Sequence, residues 1–183
     1  MKEFTSYSLA VVLGFFFMPV AFAQESAPGQ AEYDLLVARA GEYTYDYTEV
    51  GSPAQTGRIV FESFAGGRFL KFEESWTRVE GDTMGVLGIV GYDAIGGYFT
   101  WYRVFENGAY DHARGTLENG TITFDITESR MEPFGENAWS GPGIQLRTKW
   151  TDFSEDGWTF IWERSVDGGP WERLSEGRNT RVR

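Results

Sequence analysis

The sequence contains no cysteine and a single histidine, and these two shortages exclude several classes of protein. Without cysteine there is no disulfide framework, no thiol nucleophile and no lipid-bearing cysteine. Zinc sites usually draw several ligands from His and Cys, so one histidine predicts no zinc centre. A Gly-x-Ser-x-Gly elbow is also absent. We therefore expect no metal and no cofactor, and we assign no catalytic residue.

The lone histidine, His112, follows Asp111 directly. Neighbours on a strand point to opposite faces, so the two do not form a dyad by proximity alone. We expect His112 on the surface or rim, with a place in a ligand pocket or a role as a base as alternatives. Glu73 and Glu74 are also neighbours on a strand and point to opposite faces. Neither these residues nor nearby Glu62 therefore define the pair of facing carboxyl groups that a glycosidase needs.

Basic residues are scarce, with 16 Lys and Arg against 27 Asp and Glu, a formal net charge of −11. A surface this acidic repels phosphate backbones and anionic lipid headgroups. The composition therefore excludes nucleic acid as the expected partner.

Long apolar runs are also few, and the one that stands out lies between residues 8 and 20. About 13 apolar residues are too short for a bilayer span, which needs about 20. Ala21-Phe22-Ala23 then supplies a small-x-small cleavage pattern. We predict a signal peptide over residues 1–23, with a membrane anchor as the alternative, and a periplasmic or secreted protein without membrane insertion after cleavage. Residues 24–31 read as a flexible tail, and residues 32–183 as one domain.

Proline is scarce at 6 residues, whereas glycine reaches 23 and aromatic residues reach 17% of the chain. Aromatic residues favour strands and glycine favours tight turns. Apolar positions 33, 36, 37 and 40 predict one short helix near residues 34–40, ended by Gly41. Period-two patterning then predicts ten strands: residues 42–50, 58–64, 68–78, 85–92, 98–105, 110–117, 121–127, 144–153, 158–165 and 171–182.

Nearly all of the predicted strands are joined by short links, and Asn107-Gly108 is the clearest hairpin signal. Short links place consecutive strands side by side in antiparallel pairs, and a long meander protects its edges best by closing on itself. We therefore predict an all-β, antiparallel up-and-down lipocalin-like barrel of eight to ten strands with one short N-terminal helix, rather than an immunoglobulin-like sandwich.

Several short motifs resemble those of known barrels. Leu35-Leu36 through Gly41-Glu42-Tyr43 looks like the start of lipocalin-like proteins. Gly91-Tyr92-Asp93, Tyr98-Phe99-Thr100-Trp101 and Asn179-Thr180-Arg181 resemble a bacterial family of unknown function, over residues 32–183. The resemblance implies a calycin-type barrel with an interior cavity and carries over no catalytic residue. Haem-binding barrels of similar size use a histidine on a late strand, and residues 144–153 and 158–165 contain none.

The strands with the most aromatic residues supply the candidate site. Alternation places Trp101 and Arg103 on the apolar face of one strand, Trp150 on that of another, and Trp162 and Arg164 on that of a third. We interpret these five residues as a ligand-binding wall, with Trp101 and Trp162 facing a common interior. Each arginine either lies at the rim with its head in water or captures an anion inside an apolar cavity.

Three functions fit this sequence. The first is an exported barrel that binds a small apolar ligand, with an acidic ligand as a variant. The second is a structural or interaction module whose barrel is filled. The third is a cyclase or isomerase that uses Tyr and Asp or Glu as acid and base, although we lean against an enzyme. The sequence leaves the ligand and the oligomeric state open.

Overall fold

The computed structural model describes residues 28–51, 53–77, 81–130 and 141–183. The predicted signal peptide, residues 1–23, lies outside the described residues, as do residues 24–27 of the predicted tail. Both stay predictions.

The described chain forms one α-helix followed by ten strands, with one short 3-10 turn at Ala65–Gly67. The strands close into an antiparallel barrel in simple meander order, with β1 hydrogen-bonded to both β2 and β10. The elements are α1 (Gln30–Val37), β1 (Gly41–Glu49), β2 (Gln55–Phe64), β3 (Phe69–Thr77), β4 (Thr83–Asp93), β5 (Tyr98–Phe105), β6 (Tyr110–Glu118), β7 (Thr121–Arg130), β8 (Ile144–Ser154), β9 (Gly157–Val166) and β10 (Glu172–Arg181). The prediction of an all-β up-and-down barrel with one short helix is confirmed, and all ten predicted strands are present.

The helix differs from its predicted bounds at both ends. It begins at Gln30, inside the segment assigned to the tail, and ends at Val37 rather than Ala40. The chain tightens after Val37, where the Arg39 amide donates to the Leu36 carbonyl at 2.8 Å. Arg39 then turns inward, and its Nη1 donates to the Ser154 carbonyl at 2.7 Å. The helix therefore ends early because Arg39 anchors the following link to β8.

Helix α1 packs against β3 and β4 and covers one end of the barrel. Leu36 is its buried anchor, and the Tyr33 ring meets the Tyr92 ring edge-on at 5.9 Å. The strand order places the β5–β6 and β9–β10 links at the opposite end. Within the described part of the chain, no helix is both long and apolar enough to cross a membrane.

The barrel interior is filled mainly by aromatic rings, and glycines on the wall make room for them. A Cβ on Gly88 would lie 2.2 Å from the tip of the Phe72 ring. One on Gly177 would lie 2.4 Å from the tip of Phe160. A large residue facing a residue without a side chain is the kind of fit that close-packed interiors need. These pairs determine how much free space the barrel keeps.

Candidate functional site

The interior contains a cavity of about 40 Å³. Seven of its lining residues are aromatic, namely Tyr45, Phe61, Trp101, Trp150, Trp158, Phe160 and Trp162, and they are joined by Ile59 and the polar residues Glu74, Arg103, Thr148 and Asn179. Glu74 and Phe160 are only partly buried. At roughly 10–15 Å³ for each water, the cavity holds about three waters. This space is too small for a fatty-acid chain.

Three of the five predicted site residues are tryptophans, and the structure brings all three together. The Trp101 ring lies 5.2 Å from the Trp150 ring and 6.2 Å from the Trp162 ring, centroid to centroid. The three come from β5, β8 and β9, whose apolar faces all point inward. The predicted common interior of Trp101 and Trp162 is therefore present, and both residues line the cavity.

Arg103, the fourth predicted residue, also lines the cavity but already has a counter-ion. Its Nε lies 3.1 Å from both carboxylate oxygens of Asp111, and Nη2 donates to Oδ2. Both side chains are buried, with 8% and 0% exposed. Burial is the largest influence and by itself would lower the pKa of Arg103, but the charge and hydrogen bonds of Asp111, together with Glu74 and Tyr45, raise the pKa above its ordinary value. Arg103 therefore keeps its positive charge, and the negative charge of Asp111 compensates it.

Aromatic rings surround the Arg103 guanidinium. Its central carbon lies 4.9 Å from the Trp101 centroid, 5.0 Å from that of Phe105 and 4.8 Å from that of Trp162. Each contact lies within the range of a cation–π interaction. The aromatic wall around this point thus already surrounds a cation that the protein itself supplies.

A second polar pair lies beside this ion pair. The Tyr45 hydroxyl donates to Glu74 Oε1 at 2.7 Å. Burial raises the pKa of Glu74, and the negative charge of Asp111 adds to this, while Arg103 and the Tyr45 hydrogen bond partly offset it. Burial and the neighbouring Glu74 charge raise the pKa of Tyr45 as well. Tyr45 therefore remains a proton-bearing donor, and Glu74 is the group here that can change its charge.

Four further polar groups of the lining are not satisfied by the protein, and two of them are the buried indole N–H groups of Trp101 and Trp158, which have no partner among the described residues. Thr148 is fully buried, and its Oγ1 has no partner among the described residues. Asn179 is 5% exposed, and its side-chain amide takes no part in the hydrogen bonds made between described residues. Buried polar groups normally have partners, so such groups beside a cavity call for a molecule that can bind them.

Arg164, the fifth predicted residue, does not line the cavity. It faces Leu146 on β8, close to the β9–β10 link, and its Nε lies 3.6 Å from Glu172 Oε2. The partner carboxylate is largely exposed. Arg103 and Arg164 thus lie toward the same end of the barrel, but they are bound to different carboxylates.

The structure also places the other residues that the sequence analysis considered. His112 points outward, near the hydroxyls of Thr100 and Thr127, while Asp111 points inward, as parity predicts. Glu62 and Glu73 both pair with Lys71 on the outer wall. Tyr92 and Asp93 are the last two residues of β4. Asp93 Oδ1 accepts the backbone amides of the turn that follows.

Sequence reasoning missed five polar residues of this region, namely Tyr45, Glu74, Asp111, Thr148 and Asn179. Parity could have found Glu74, which shares a face with Leu70 and Phe72, and Asp111, which shares one with Ala113. Asn179 gave no such signal, because the inward face of β10 carries Ser175 and Gly177 instead of apolar side chains.

The arrangement can bind a small molecule through ring contacts and hydrogen bonds. In the described ranges, no group of three or more His, Cys, Asp or Glu side chains is placed to hold a metal ion. The carboxylate of the lining, Glu74, lies beside a tyrosine donor.

Comparison with known proteins identifies the fold and no family. No protein-family model matches the sequence, and no curated protein matches it. Rv2717c from M. tuberculosis matches over 86% of this chain and 99% of its own, with 14% identity and a TM-score of 0.56. A redesigned β-barrel matches over 82% and 95%, with 16% identity and a TM-score of 0.43. A protein of unknown function from the DUF3598 family of Nostoc punctiforme covers 82% and 98%, with 6% identity and a TM-score of 0.22. The first match shows a shared barrel fold, while membership of the lipocalin-like group stays a prediction.

Proposed function

We propose that this protein is an exported barrel that binds a small ligand in its interior cavity. The observation that carries the proposal is the combination of free space, aromatic walls and polar side chains without protein partners. A barrel that needed only stability would gain by filling this space, because each cavity and each unsatisfied buried group costs free energy. Ligand sites combine apolar walls with a few placed polar groups in this way.

The size of the cavity limits what it binds. It offers about 40 Å³, whereas an engineered cavity that binds benzene has about 150 Å³. The ligand is therefore either a molecule of a few non-hydrogen atoms or the small end of a longer one that leaves past Glu74 and Phe160. The acidic variant of the prediction loses support, because Asp111 already neutralises Arg103.

Native mass spectrometry of protein purified from a periplasmic extract tests export and binding together. We expect the mass of the chain without residues 1–23, together with a fraction that carries an additional small mass. An intact N-terminal Met1 would contradict export. The bare polypeptide alone, in protein that also gives no response to small-molecule screening, would contradict ligand binding.

A filled barrel that acts through its outer wall is the second candidate, and one observation favours it. Four apolar side chains on the outside of β4 and β5, Leu87, Ile89, Tyr102 and Val104, are between 37% and 51% exposed. They form two cross-strand pairs, Leu87 with Val104 and Ile89 with Tyr102. Sedimentation velocity tests this candidate for self-association. A dimer that Val104→Glu converts to a monomer would favour it over an interior ligand.

A further inference from the structure

The charges around the cavity limit the class of ligand. Arg103 is bound bidentately by Asp111, and Glu74 lies close enough to feel both charges. The positive charge of Arg103 is therefore compensated by Asp111, and Glu74 is a second carboxylate beside this ion pair. An anion would meet no uncompensated positive charge here. An added cation would approach Arg103, which the surrounding rings already hold. These charges favour a neutral ligand.

The unsatisfied polar groups define what that neutral ligand presents. The Asn179 amide can donate two hydrogen bonds and accept through its oxygen, and the Thr148 hydroxyl can do both. Glu74 can accept from a ligand beside the bond it receives from Tyr45. A ligand with acceptors alone would leave Glu74 and the Asn179 oxygen unused. A ligand with donors alone would leave the N–H groups of Asn179, Trp101 and Trp158 unused. The site suits a group that carries a donor next to an acceptor.

From charge, polarity and volume together, we infer that the cavity binds a primary amide or a urea-like group, with its N–H groups toward Glu74 and the Asn179 oxygen and its carbonyl toward Asn179 Nδ2 or Thr148. This inference rests on the proposed function. A group of about four non-hydrogen atoms matches a space for about three waters. It is also planar, which suits contact with the faces of Trp150 and Trp158.

Four probes of nearly identical shape test the inference. Acetamide is neutral and carries a donor beside an acceptor. Acetate is an anion of the same shape, and acetamidinium is a cation of the same shape. Acetone is neutral and lacks the donor. Each is titrated into uniformly ¹⁵N-labelled protein, and the indole N–H resonances are followed by NMR. We expect saturable shifts with acetamide, in the millimolar range normal for so small a molecule. Binding of the other three should be at least about fivefold weaker, since each leaves a buried group unpaired or adds a charge.

Two isosteric variants identify the partners. Asn179→Leu and Thr148→Val should each weaken acetamide about fivefold, and Asn179→Leu should weaken acetone less than acetamide, because acetone has no N–H group to donate to the Asn179 oxygen. Thr116→Val, on the outer face of β6, is the matched control and should change nothing. The probe series on the unmodified protein stays decisive if either variant fails to fold.

The outcomes of these titrations distinguish the inferred ligand class from the proposed binding of a small ligand. Acetate or acetamidinium binding as well as acetamide would overturn neutrality, and the first would restore Arg103 as an anion-binding group. Acetone binding equally, with no effect of Asn179→Leu, would overturn amide recognition but leave a small-ligand barrel in place. If no probe binds while purified protein carries a retained ligand, this inference alone fails. If no probe binds and no ligand is retained, the proposed function fails with it.

Discussion

Replacing Arg103 by methionine should destabilise the barrel far more than removing a surface arginine. The variant leaves Asp111 fully buried without its cation, and removing one partner of a buried ion pair costs about 3–5 kcal/mol. The three ring contacts of the guanidinium are lost as well, each worth about 0.5–2 kcal/mol. A domain of this size is stable by about 5–15 kcal/mol, so Arg103→Met should lose a large part of its free energy of unfolding.

The companion variant Arg103→Met/Asp111→Leu distinguishes a lost ion pair from lost packing. Replacing both charges by apolar side chains removes the unpaired carboxylate, and such replacements are often neutral or stabilising. We expect the double variant to be more stable than Arg103→Met by about 2 kcal/mol or more, the part of the cost due to the unpaired charge.

Urea unfolding followed by tryptophan fluorescence measures these differences, provided that the free energy of unfolding falls with urea concentration at the same slope in all variants. Arg58→Met is the control, because the Arg58–Glu42 pair has a similar separation of 2.7 Å but is 55% and 42% exposed. It should cost far less than Arg103→Met, because ion pairs in contact with solvent contribute little to stability. Equal losses for Arg58→Met and Arg103→Met, or a double variant no more stable than the single one, would refute the reasoning.

Three further predictions follow from the same interior. Glu74→Gln should gain stability relative to the unmodified protein as pH rises above 4.5, the ordinary glutamate value, because the pKa of Glu74 is raised in the folded state and its ionisation is resisted there. Unfolding curves between pH 4 and 8 check this, and a constant difference between the two proteins would contradict it. Gly88→Ala should cost about 1–3 kcal/mol through its clash with Phe72, and Phe72→Leu should recover part of that loss in thermal unfolding. Leu36→Ala should cost about 2–5 kcal/mol, whereas Val37→Ala on the exposed side of α1 should cost much less, and similar losses would mean that α1 does not seal the barrel.

The fold was predictable because every strand carries its own signal. In Tyr98–Phe105 the aromatic residues Phe99, Trp101 and Phe105 share one face. Glycine-bearing turns separate most strands. The helix bounds were less predictable, since the early end depends on Arg39 reaching Ser154 across 115 positions of sequence. No local pattern shows a contact of that kind.

The candidate site was predictable only on its aromatic side. Trp101, Trp150 and Trp162 were found because an apolar face must point inward. The ion pair of Arg103 with Asp111 was not predictable, because Asp111 lies on the next strand and only the register of β5 against β6 places the two residues together. The volume of the cavity was not predictable either. It depends on how far each ring extends over facing residues such as Gly88 and Gly177.

The measurement that tests the central claim most directly is an NMR titration of the labelled protein with neutral small molecules, acetamide among them, repeated on a variant whose cavity is filled by Thr148→Met. A ligand-binding barrel predicts saturable shifts concentrated on the indole resonances of Trp150, Trp158 and Trp162, and their loss in the filled variant. Shifts that persist in the filled variant, or that lie on the outer wall around Tyr102 and Val104, would contradict an interior site.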